Sequence, residues 1–355
     1  MWKYIVQRIL LIFFTTFVIL SLTYILLKLL PVESPLPQYD ASYAFYENQV
    51  KLGYFYEVID PKRFADPDVV HIYDAKTLAE HYYAPYPVMV QYGKWLTNIF
   101  GWTDGHLNWD WGLSSKVAPG KSVVYIISLR LPVSMKLNFI SLFFSLPLGF
   151  LFGIWAALKK NKAADNIIST LVMVFISVPS FVFISFLLII FSYNLNWLPS
   201  AWPDSAGAAA DALTSVKAYV IPISALCFGT VAGFTRYMRA ELCEVMSSEF
   251  LLLARTKGLT KRQTVLRHAL RNSMVPIVPM IIGEFIGILG GSMILEQLYS
   301  IPGIGYLFIT ALTYKDYNVI MADMAIYTTI GLFSTLLVDL SYGIVDPRIR
   351  MGAVR

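Results

Sequence analysis

Charge is scarce in this chain of 355 residues, because Asp, Glu, Lys and Arg make up only 14% of it and hydrophobic residues make up 57%. Soluble domains carry about 25% charged residues. So little charge over this length, with a mean hydropathy of +0.59, predicts several membrane spans. The net charge of +5 does not indicate nucleic-acid binding, because the basic residues are concentrated in short segments between apolar runs.

Cysteine and histidine are also rare. Cys227 lies within a predicted span and Cys243 at its cytoplasmic end, which argues against a disulfide framework. No two of the four histidines have metal-ligand spacing, and no nucleophile stands beside a base. The stretch APGKS, residues 118–122, has only the end of a phosphate-binding loop, because Ser115 replaces its first glycine. We therefore expect no catalytic, metal or cofactor site in this chain.

Six windows are long and apolar enough to cross a membrane, which takes about 20 mainly apolar residues. They cover about 9–30, 134–157, 167–193, 218–236, 275–295 and 319–344. The first is too long for the core of a signal peptide, and no small-residue cleavage site follows it. We therefore expect an all-α integral membrane protein with six transmembrane helices, the first of which is retained.

The positions of Lys and Arg predict the orientation of the spans. If the N-terminus is cytoplasmic, the inner segments contain sixteen of the 28 basic residues, whereas the outer loops 194–217 and 296–317 contain one each. The inner segments are 1–8, 159–165, 236–274 and 345–355. Cytoplasmic loops carry such an excess of basic residues. We expect a multi-pass protein of the plasma membrane with both termini in the cytoplasm.

Residues 32–130 separate the first two windows and are expected to form a large extracytoplasmic insertion. The segment has eight basic and eleven acidic residues, and long domains cross the membrane largely regardless of charge. Val88, Tyr92, Trp95 and Ile99 lie at helical spacing, which predicts a short amphipathic helix. The many aromatic residues of this insertion suit either internal packing or a docking surface for an external partner.

Ionisable residues inside a membrane mark function by default, because a charge at mid-bilayer costs at least about 2.5 kcal/mol. Glu284 lies near the middle of the fifth window and should face a cavity or a partner helix. Asn138 in the second window is the other candidate for lining a translocation cavity. Asp339 lies closer to the cytoplasmic end of the sixth window, where water or Arg348 can satisfy it.

The longest cytoplasmic loop, about 237–274, has the pattern of two helices joined at a glycine. Good helix formers run from Ser248 to Lys257, and Gly258 suits the left-handed residue that ends a helix. Thr260 and Gln263 form a capping box, which starts a second, basic helix. The loop suits contact with anionic membrane lipid or docking into a groove of a soluble partner, and periodicity alone leaves both open.

The stretch EFLLLARTKGLTKRQTVLRHALRNSMVPIV in this loop resembles the cytoplasmic loop of ABC-importer permeases of the dipeptide/oligopeptide/nickel family. Their EAA element has a fixed glycine, here Gly258. Ala254 also matches, whereas Leu252 and Leu253 stand where the general consensus has Glu and Ala. Other matching stretches follow in order: MWKYIVQRILLIFF, WDWGLSSKVAPGKS, SIPGIGYLFITALTYKDYNVI and LLVDLSYGIVDPRIR. The resemblance covers 1–31 and about 85–351 and fails over about 33–84.

The resemblance implies a type I ABC-importer permease fold. Its parts would be a first helix at 1–31, the insertion at 32–130, a transmembrane domain at 131–345 and a cytoplasmic tail at 346–355. The loop helix would couple to an ATPase through a set of five residues. These are Glu249, Ala254, Arg255, Lys257 and Gly258.

The partners implied are a second, homologous permease, two cytoplasmic ATPase subunits that use ATP and Mg²⁺, and an external lipid-anchored peptide-binding protein. The expected function is import of oligopeptides, with dipeptides or nickel chelates as the alternative cargo. The chain itself would not be an enzyme. A self-sufficient secondary transporter or channel is a more distant alternative, because only one clear mid-span charge and no obvious internal repeat are present.

Overall fold

The computed structural model describes residues 2–30, 39–74, 77–103, 105–203 and 212–345. Contacts divide the chain into two compact units. The membrane unit comprises Met1–Ile9, Val133–Tyr306 and Ile330–Arg355, and the insertion unit comprises Leu10–Pro132 and Leu307–Thr329. The predicted tail at 346–355 lies outside the described residues.

The described residues are mainly helical. In chain order the helices are α1 (Trp2–Lys28), α2 (Tyr39–Lys51), α3 (Val88–Phe100), α4 (Val123–Leu158), α5 (Ala163–Ser177), α6 (Ser180–Leu187), α7 (Ala212–Ala218), α8 (Val220–Met246), α9 (Glu249–Thr256), α10 (Lys261–Thr264), α11 (Leu270–Ser273), α12 (Ile277–Gly287), α13 (Met293–Leu298), α14 (Ile304–Tyr314) and α15 (Tyr317–Val345). Short π-helical stretches cover Leu188–Asn194 and Val265–Ala269, and 3₁₀ turns cover Pro61–Arg63 and Ile288–Gly290. The strands are β1 (Phe55–Glu57), β2 (Val70–Asp74), β3 (Ala79–Pro85), β4 (Trp102–Thr103) and β5 (His106–Leu107).

Among the described residues, five helices are long and apolar enough to cross a membrane, and a bent helix pair provides a sixth span if it crosses as one. The five are Ile5–Lys28, Val123–Leu158, Ala212–Met246, Ile277–Leu298 and Tyr317–Ile344, and the pair is Ala163–Ser177 with Ser180–Asn194. Each overlaps one of the six predicted windows, although the helices at the second and fourth windows are longer than those windows. The prediction of a helical, multi-span membrane protein is confirmed.

The third window, 167–193, is bent by 100° between its two halves. Val178 is extended, with φ −98° and ψ 121°, and Pro179 precedes the second half. Proline has no backbone N–H to donate and disfavours the helical conformation of the residue before it. The Val178–Pro179 step therefore interrupts the helix where apolar periodicity alone predicted one continuous span.

The insertion unit contains a three-stranded antiparallel sheet that the sequence analysis did not predict. β3 lies in the centre, with β1 on one side and β2 on the other, so that Phe55 pairs with Pro85 and His71 with Tyr82. The strands are rich in aromatic and β-branched residues, which favour a pleated surface. The strands were not predicted because they are only three to seven residues long, and such short segments show little alternation of apolar and polar residues.

The amphipathic helix predicted in the insertion is present as α3. Trp95 and Ile99 are buried on its inner face. Elsewhere in the insertion, the fully buried Tyr46 stacks on Tyr83 with ring centroids 5.6 Å apart. These aromatic residues thus pack within the insertion, which is one of the two interpretations that the sequence left open.

The stretch APGKS belongs to a loop of the insertion unit that holds a carboxylate of the same chain. The Oδ2 atom of the fully buried Asp316 accepts hydrogen bonds from Ser114 Oγ at 2.6 Å and from the N–H groups of Ser115, Lys116 and Val117 at 2.9–3.1 Å. Consecutive N–H groups of this kind form an anion-binding nest. Asp316 occupies that nest, so these N–H groups bind a carboxylate of the same chain.

The membrane unit contains a second buried carboxylate, Glu296. It accepts hydrogen bonds from Ser134 Oγ at 2.7 Å, the Tyr306 N–H at 3.0 Å and the Ser292 N–H at 3.2 Å. A Cβ atom at Gly303 would collide with Glu296 and Ser134, so only glycine allows this close approach. The stretch SIPGIGY is therefore fixed against the start of the second span by a fully satisfied carboxylate.

Candidate coupling loop and cavity

The first helix of the loop at about 237–274, α9, packs against the rest of the membrane unit through one buried leucine. Leu251 is 2% exposed and belongs to one hydrophobic cluster with Phe234 and Met238 of α8. Ala269 and Ile277 belong to the same cluster, so it also includes the loop's second helical segment and the fifth span. Leu251 therefore packs α9 against α8 and against the start of the fifth span in one close-packed cluster.

The other large apolar side chains of α9 are exposed. Phe250 is 45%, Leu252 65% and Leu253 57% exposed. Single exposed apolar residues are ordinary, but three neighbours on an eight-residue helix form a patch that favours association. The charged Glu249 and Arg255 are exposed on the same helix.

The turn after α9 has the conformation predicted from its glycine. Gly258 has φ +89°, and its N–H donates to the Arg255 carbonyl at 2.9 Å. The capping box is also confirmed, because the Thr260 N–H donates to Gln263 Oε1 at 3.1 Å and the Gln263 N–H donates to Thr260 Oγ1 at 3.3 Å. Local capping chemistry thus sets the direction in which the chain leaves α9.

The second helical segment contains a π-helical turn that was not predicted. Val265 and Ala269, the first and last residues of this turn, are buried, as are Thr264 before it and Ser273 after it. A π turn adds one residue to the helical repeat, so the buried face shifts by one position and stays against the protein. Arg262, Arg267 and Arg271 remain exposed, which makes the outer face basic.

The structure brings the five predicted coupling residues together on α9 and its turn. Glu249, Arg255, Lys257 and Gly258 are exposed, whereas Ala254 is half-buried. The set expected to contact an ATPase is thus accessible in this chain, apart from the partly covered Ala254. Leu252, which sequence reasoning noted only as a departure from consensus, is the most exposed apolar residue of the helix.

Asp165 and Arg239 form an ion pair that sequence reasoning missed. Arg239 Nη2 donates to Asp165 Oδ2 at 2.8 Å, and its Nε donates to Oδ1. The Asn161 N–H donates to the same carboxylate at 2.9 Å. Arg239 lies on α8, one helix before α9, so the pair ties that span to the first turn of α5. The sequence did contain one signal of a structural role for Asp165, because this acidic residue lies in the first turn of a helix that follows a basic loop.

Glu284 and Asn138 line one cavity of about 140 Å³ in the membrane unit. Asn138 Nδ2 donates to the Ile288 carbonyl at 3.0 Å, so this asparagine links the second span to the fifth. Glu284 is exposed on α12, which makes it accessible in the single chain. The two residues proposed from sequence for a cavity therefore share one.

Asp339 has a partner other than the one considered from the sequence. Its Oδ2 atom lies 3.4 Å from Arg8 Nη2, and Arg348 lies outside the described residues. Among the described residues, no group of three or more His, Cys, Asp or Glu side chains is placed to hold a metal ion.

Comparison with known proteins identifies the family. The family described as "Binding-protein-dependent transport system inner membrane component" matches residues 149–351, more than half of the chain. This chain belongs to that family. The matched range of this permease includes the coupling loop, Asp165, Glu284 and Glu296, whereas Asn138 and the insertion precede it.

Two relatives are similar over most of the permease. The dipeptide transport system permease protein of Lactococcus lactis subsp. cremoris is 33% identical over 352 residues, which is 99% of this chain and 100% of that protein. The oligopeptide transport system permease protein of Haemophilus influenzae is 33% identical over 290 residues, covering 81% of this chain and 88% of that protein. The alignment with the lactococcal protein extends over the segment 33–84, for which the sequence analysis found no resemblance to the family. The insertion is therefore not peculiar to this chain.

A solved structure of the inward-facing MetNI methionine ABC transporter has a TM-score of 0.45 and 18% sequence identity. The structural match covers 64% of this chain and 96% of the transporter chain.

Proposed function

We propose that this permease is one of two transmembrane subunits of an ATP-driven importer of oligopeptides. A second, homologous permease completes the translocation path, and an external lipid-anchored binding protein delivers the peptide. Two cytoplasmic ATPase subunits bind ATP and Mg²⁺, so ATP hydrolysis takes place on other chains. Both termini and the coupling loop face the cytoplasm, and the insertion faces outward. The exposed apolar and charged surface of α9, in a chain of this family, is the observation that carries the proposal.

Helix α9 acts as the coupling helix in this proposal. Phe250, Leu252 and Leu253 enter an apolar groove of one ATPase, with Glu249, Arg255 and Lys257 at the rim. Burial of apolar side chains supplies the association energy, and the surrounding charges select the partner. The turn at Gly258 sets the angle at which the helix is presented.

Closure of the ATPases on ATP would pull the docked helix, and Leu251 would transmit the movement. Leu251 shares one packed cluster with α8 and with the start of the fifth span, so both spans would tilt together. Such a step needs an element with two arrangements that nucleotide binding biases. The cavity of Glu284 and Asn138 would then open alternately to the two sides of the membrane.

The cargo is assigned to peptides on the names of the relatives. Of the two relatives described above, one is named as a dipeptide permease and the other as an oligopeptide permease. Dipeptides are therefore the second candidate, favoured by the relative whose alignment spans the insertion. Nickel chelates remain an alternative that the same family resemblance implies.

Reconstitution tests the proposal directly. The permease is placed in vesicles with its second permease and both ATPases, and uptake of a labelled peptide is measured with the binding protein outside. We expect uptake that requires enclosed ATP and stops when either ATPase is omitted. A labelled pentapeptide and a labelled dipeptide, compared at equal concentration, separate the two cargo candidates. Uptake driven by an ion gradient without the ATPases would instead establish a secondary transporter and overturn the proposal.

A further inference from the structure

Helix α3 of the insertion unit lies against the C-terminal part of α1, which belongs to the same unit and is part of a candidate membrane span. The hydroxyl groups of Tyr92 and Ser21 share a hydrogen bond at 2.8 Å, and the ring centroids of Trp95 and Tyr24 lie 4.9 Å apart. The apolar span ends at Lys28, so Ser21 lies about 10 Å before that end at 1.5 Å per residue. Helix α3 is thus fixed at the depth of the last turns of a span.

The face of α1 that α3 covers continues as an exposed apolar surface toward the middle of the span. Phe13 and Phe17 precede Ser21 by two turns and by one turn of helix, so the three residues share one face. Both phenylalanines are exposed. Lipid that contacts Phe13 and Phe17 in a membrane therefore meets α3 next along α1.

The side of α3 that faces away from its buried residues carries no charge. The buried residues are Gln91, Trp95 and Ile99. Met89, Gly93 and Phe100 are exposed on the opposite side, where they form what we call the outer stripe. Lys94 is the only charged residue of α3, and it lies at the margin of the stripe, about 100° around the helix from Gly93. A helix that is apolar on both sides needs a second apolar surface to cover it.

The hairpin after α3 adds further exposed apolar surface. Trp102 and Leu107 pair across β4 and β5, so their side chains lie on one face of the hairpin. Trp102 is 72% exposed, and Leu107 is exposed as well. Tryptophan is enriched where membranes meet water, because its ring is apolar and its N–H can reach polar headgroups. This pair begins only two residues after Phe100, the end of the outer stripe.

We propose that α3 is an interfacial helix, with its outer stripe in the lipid of the leaflet that the C-terminal end of α1 reaches. Interfacial helices bury their apolar face about 5–10 Å into the boundary between headgroups and acyl chains, which agrees with the depth of Ser21. Acyl chains suit the stripe because they require neither a hydrogen bond nor an opposite charge. The exposed Phe13 and Phe17 on the same face of α1 favour lipid over a protein partner. The helix thereby holds the insertion on the membrane, a role that does not depend on the cargo.

Spin labels on single cysteines test this placement. The permease with Cys227→Ser and Cys243→Ser receives Met89→Cys or Gly93→Cys, is labelled, and is assembled with its partner subunits in nanodiscs. At Gly93 no atom lies within 4 Å of an added Cβ, so a label displaces nothing. Lys62→Cys is the control, because Lys62 is exposed in a polar turn of the insertion. Electron paramagnetic resonance then measures how far each label is relaxed by oxygen, which concentrates in lipid, and by a chromium complex, which stays in water.

We expect oxygen to relax the labels at Met89 and Gly93 strongly and the chromium complex to have almost no effect on them. The label at Lys62 should show the reverse preference. Relaxation of the Met89 and Gly93 labels by the chromium complex to the extent found at Lys62 would place the outer stripe in water and overturn the proposal. Protection of both labels from oxygen and from chromium would show that a protein partner covers the stripe, which overturns it as well.

Discussion

At the scale of the residue, Gly258 forms the turn that ends α9. It has φ +89°, and no atom lies within 4 Å of the position of an added Cβ. A substitution therefore acts through the backbone alone. A β-branched residue is disfavoured at positive φ by about 1–2 kcal/mol, whereas Asn tolerates this region better.

We predict that Gly258→Val weakens association with the ATPases while membrane insertion stays normal. Gly258→Asn, the control, should retain most of the association. Pull-down of the ATPases by a tagged permease, with membrane fractionation alongside, measures both effects. Unchanged pull-down by Gly258→Val would show that the turn does not orient the docked helix.

Asp316 is a second residue on which local structure depends, because it holds the loop at residues 114–117. Its Oδ2 atom accepts one hydroxyl and three backbone hydrogen bonds in a fully buried position. Hydrogen bonds to a charged group contribute about 1.5–3 kcal/mol each, and they are not additive. Removal of the charge weakens all four bonds at once.

We predict that Asp316→Asn lowers the stability of the insertion unit by about 3 kcal/mol. Asp110→Asn is the matched control, because Asp110 is exposed and accepts only a local hydrogen bond from the Gly112 N–H at 2.9 Å. Limited proteolysis of residues 113–122 in detergent, followed by mass spectrometry, reports on the loop. Equal protection of both variants would contradict the role assigned to Asp316.

The carboxylates Asp165, Asp316 and Glu296 escaped sequence reasoning for one physical reason. Their main partners are distant in sequence, at separations of 74, 202 and 162 residues. A carboxylate next to its partner in sequence is visible as a cap or an i,i+4 pair, but a pair made by tertiary packing has no local signature. Glu284 could be identified from the sequence because the free-energy cost of a carboxylate inside the membrane depends only on its position in the apolar segment.

At the scale of the element, α9 differs between its two faces. Leu251 is buried in the membrane unit, whereas Leu252 and Leu253 are 65% and 57% exposed. Polar substitutions of the exposed pair should therefore not disturb the fold. Their loss removes apolar area from an interface, and each deeply buried interface leucine contributes about 1–2 kcal/mol.

We predict that Leu252→Ser with Leu253→Ser reduces ATPase association at least ten-fold and abolishes ATP-driven peptide uptake. Leu266→Ser is the control, because Leu266 is 55% exposed on the following helical segment. It should leave association within about two-fold. The association of each variant is measured as a dissociation constant, by titration of the detergent-solubilised permease with the ATPases. A larger effect of Leu266→Ser would move the docking surface to the second segment.

The elements of the coupling loop could be predicted because their signals are local. The glycine turn and the Thr260–Gln263 box are specified within a few residues, and both are present. The π turn at Val265–Ala269 and the bend after Val178 could not be placed, since the first depends on what the helix packs against. The sheet was not predicted because β1 pairs with β3, which follows β2 in the sequence. No local pattern reveals a pairing between strands that are not consecutive.

At the scale of the whole molecule, the distribution of basic residues predicts one orientation in the membrane. The excess of basic residues in the segments between spans predicts that His106 lies outside and Lys160 inside. Both side chains are exposed. Single-cysteine variants in a background with Cys227→Ser and Cys243→Ser make this testable.

We predict that His106→Cys reacts with a membrane-impermeant maleimide in intact cells, whereas Lys160→Cys reacts only after permeabilisation. The cysteine-free background is the control for unspecific labelling. The reverse pattern would place the coupling loop outside and remove the basis for ATPase docking.

The sequence by itself determined the membrane spans, the helix–glycine–helix loop and the family to which the chain belongs. Each follows from local quantities: the length of an apolar run, the capping preference of a few residues, or an ordered set of matching stretches. Only the tertiary structure decided that Arg239 pairs with Asp165, that Leu251 joins the coupling helix to two spans, and that Tyr92 joins α3 to Ser21 of α1. Those partners are chosen by packing and by the need to satisfy buried polar atoms, and both depend on which distant segments the fold brings together.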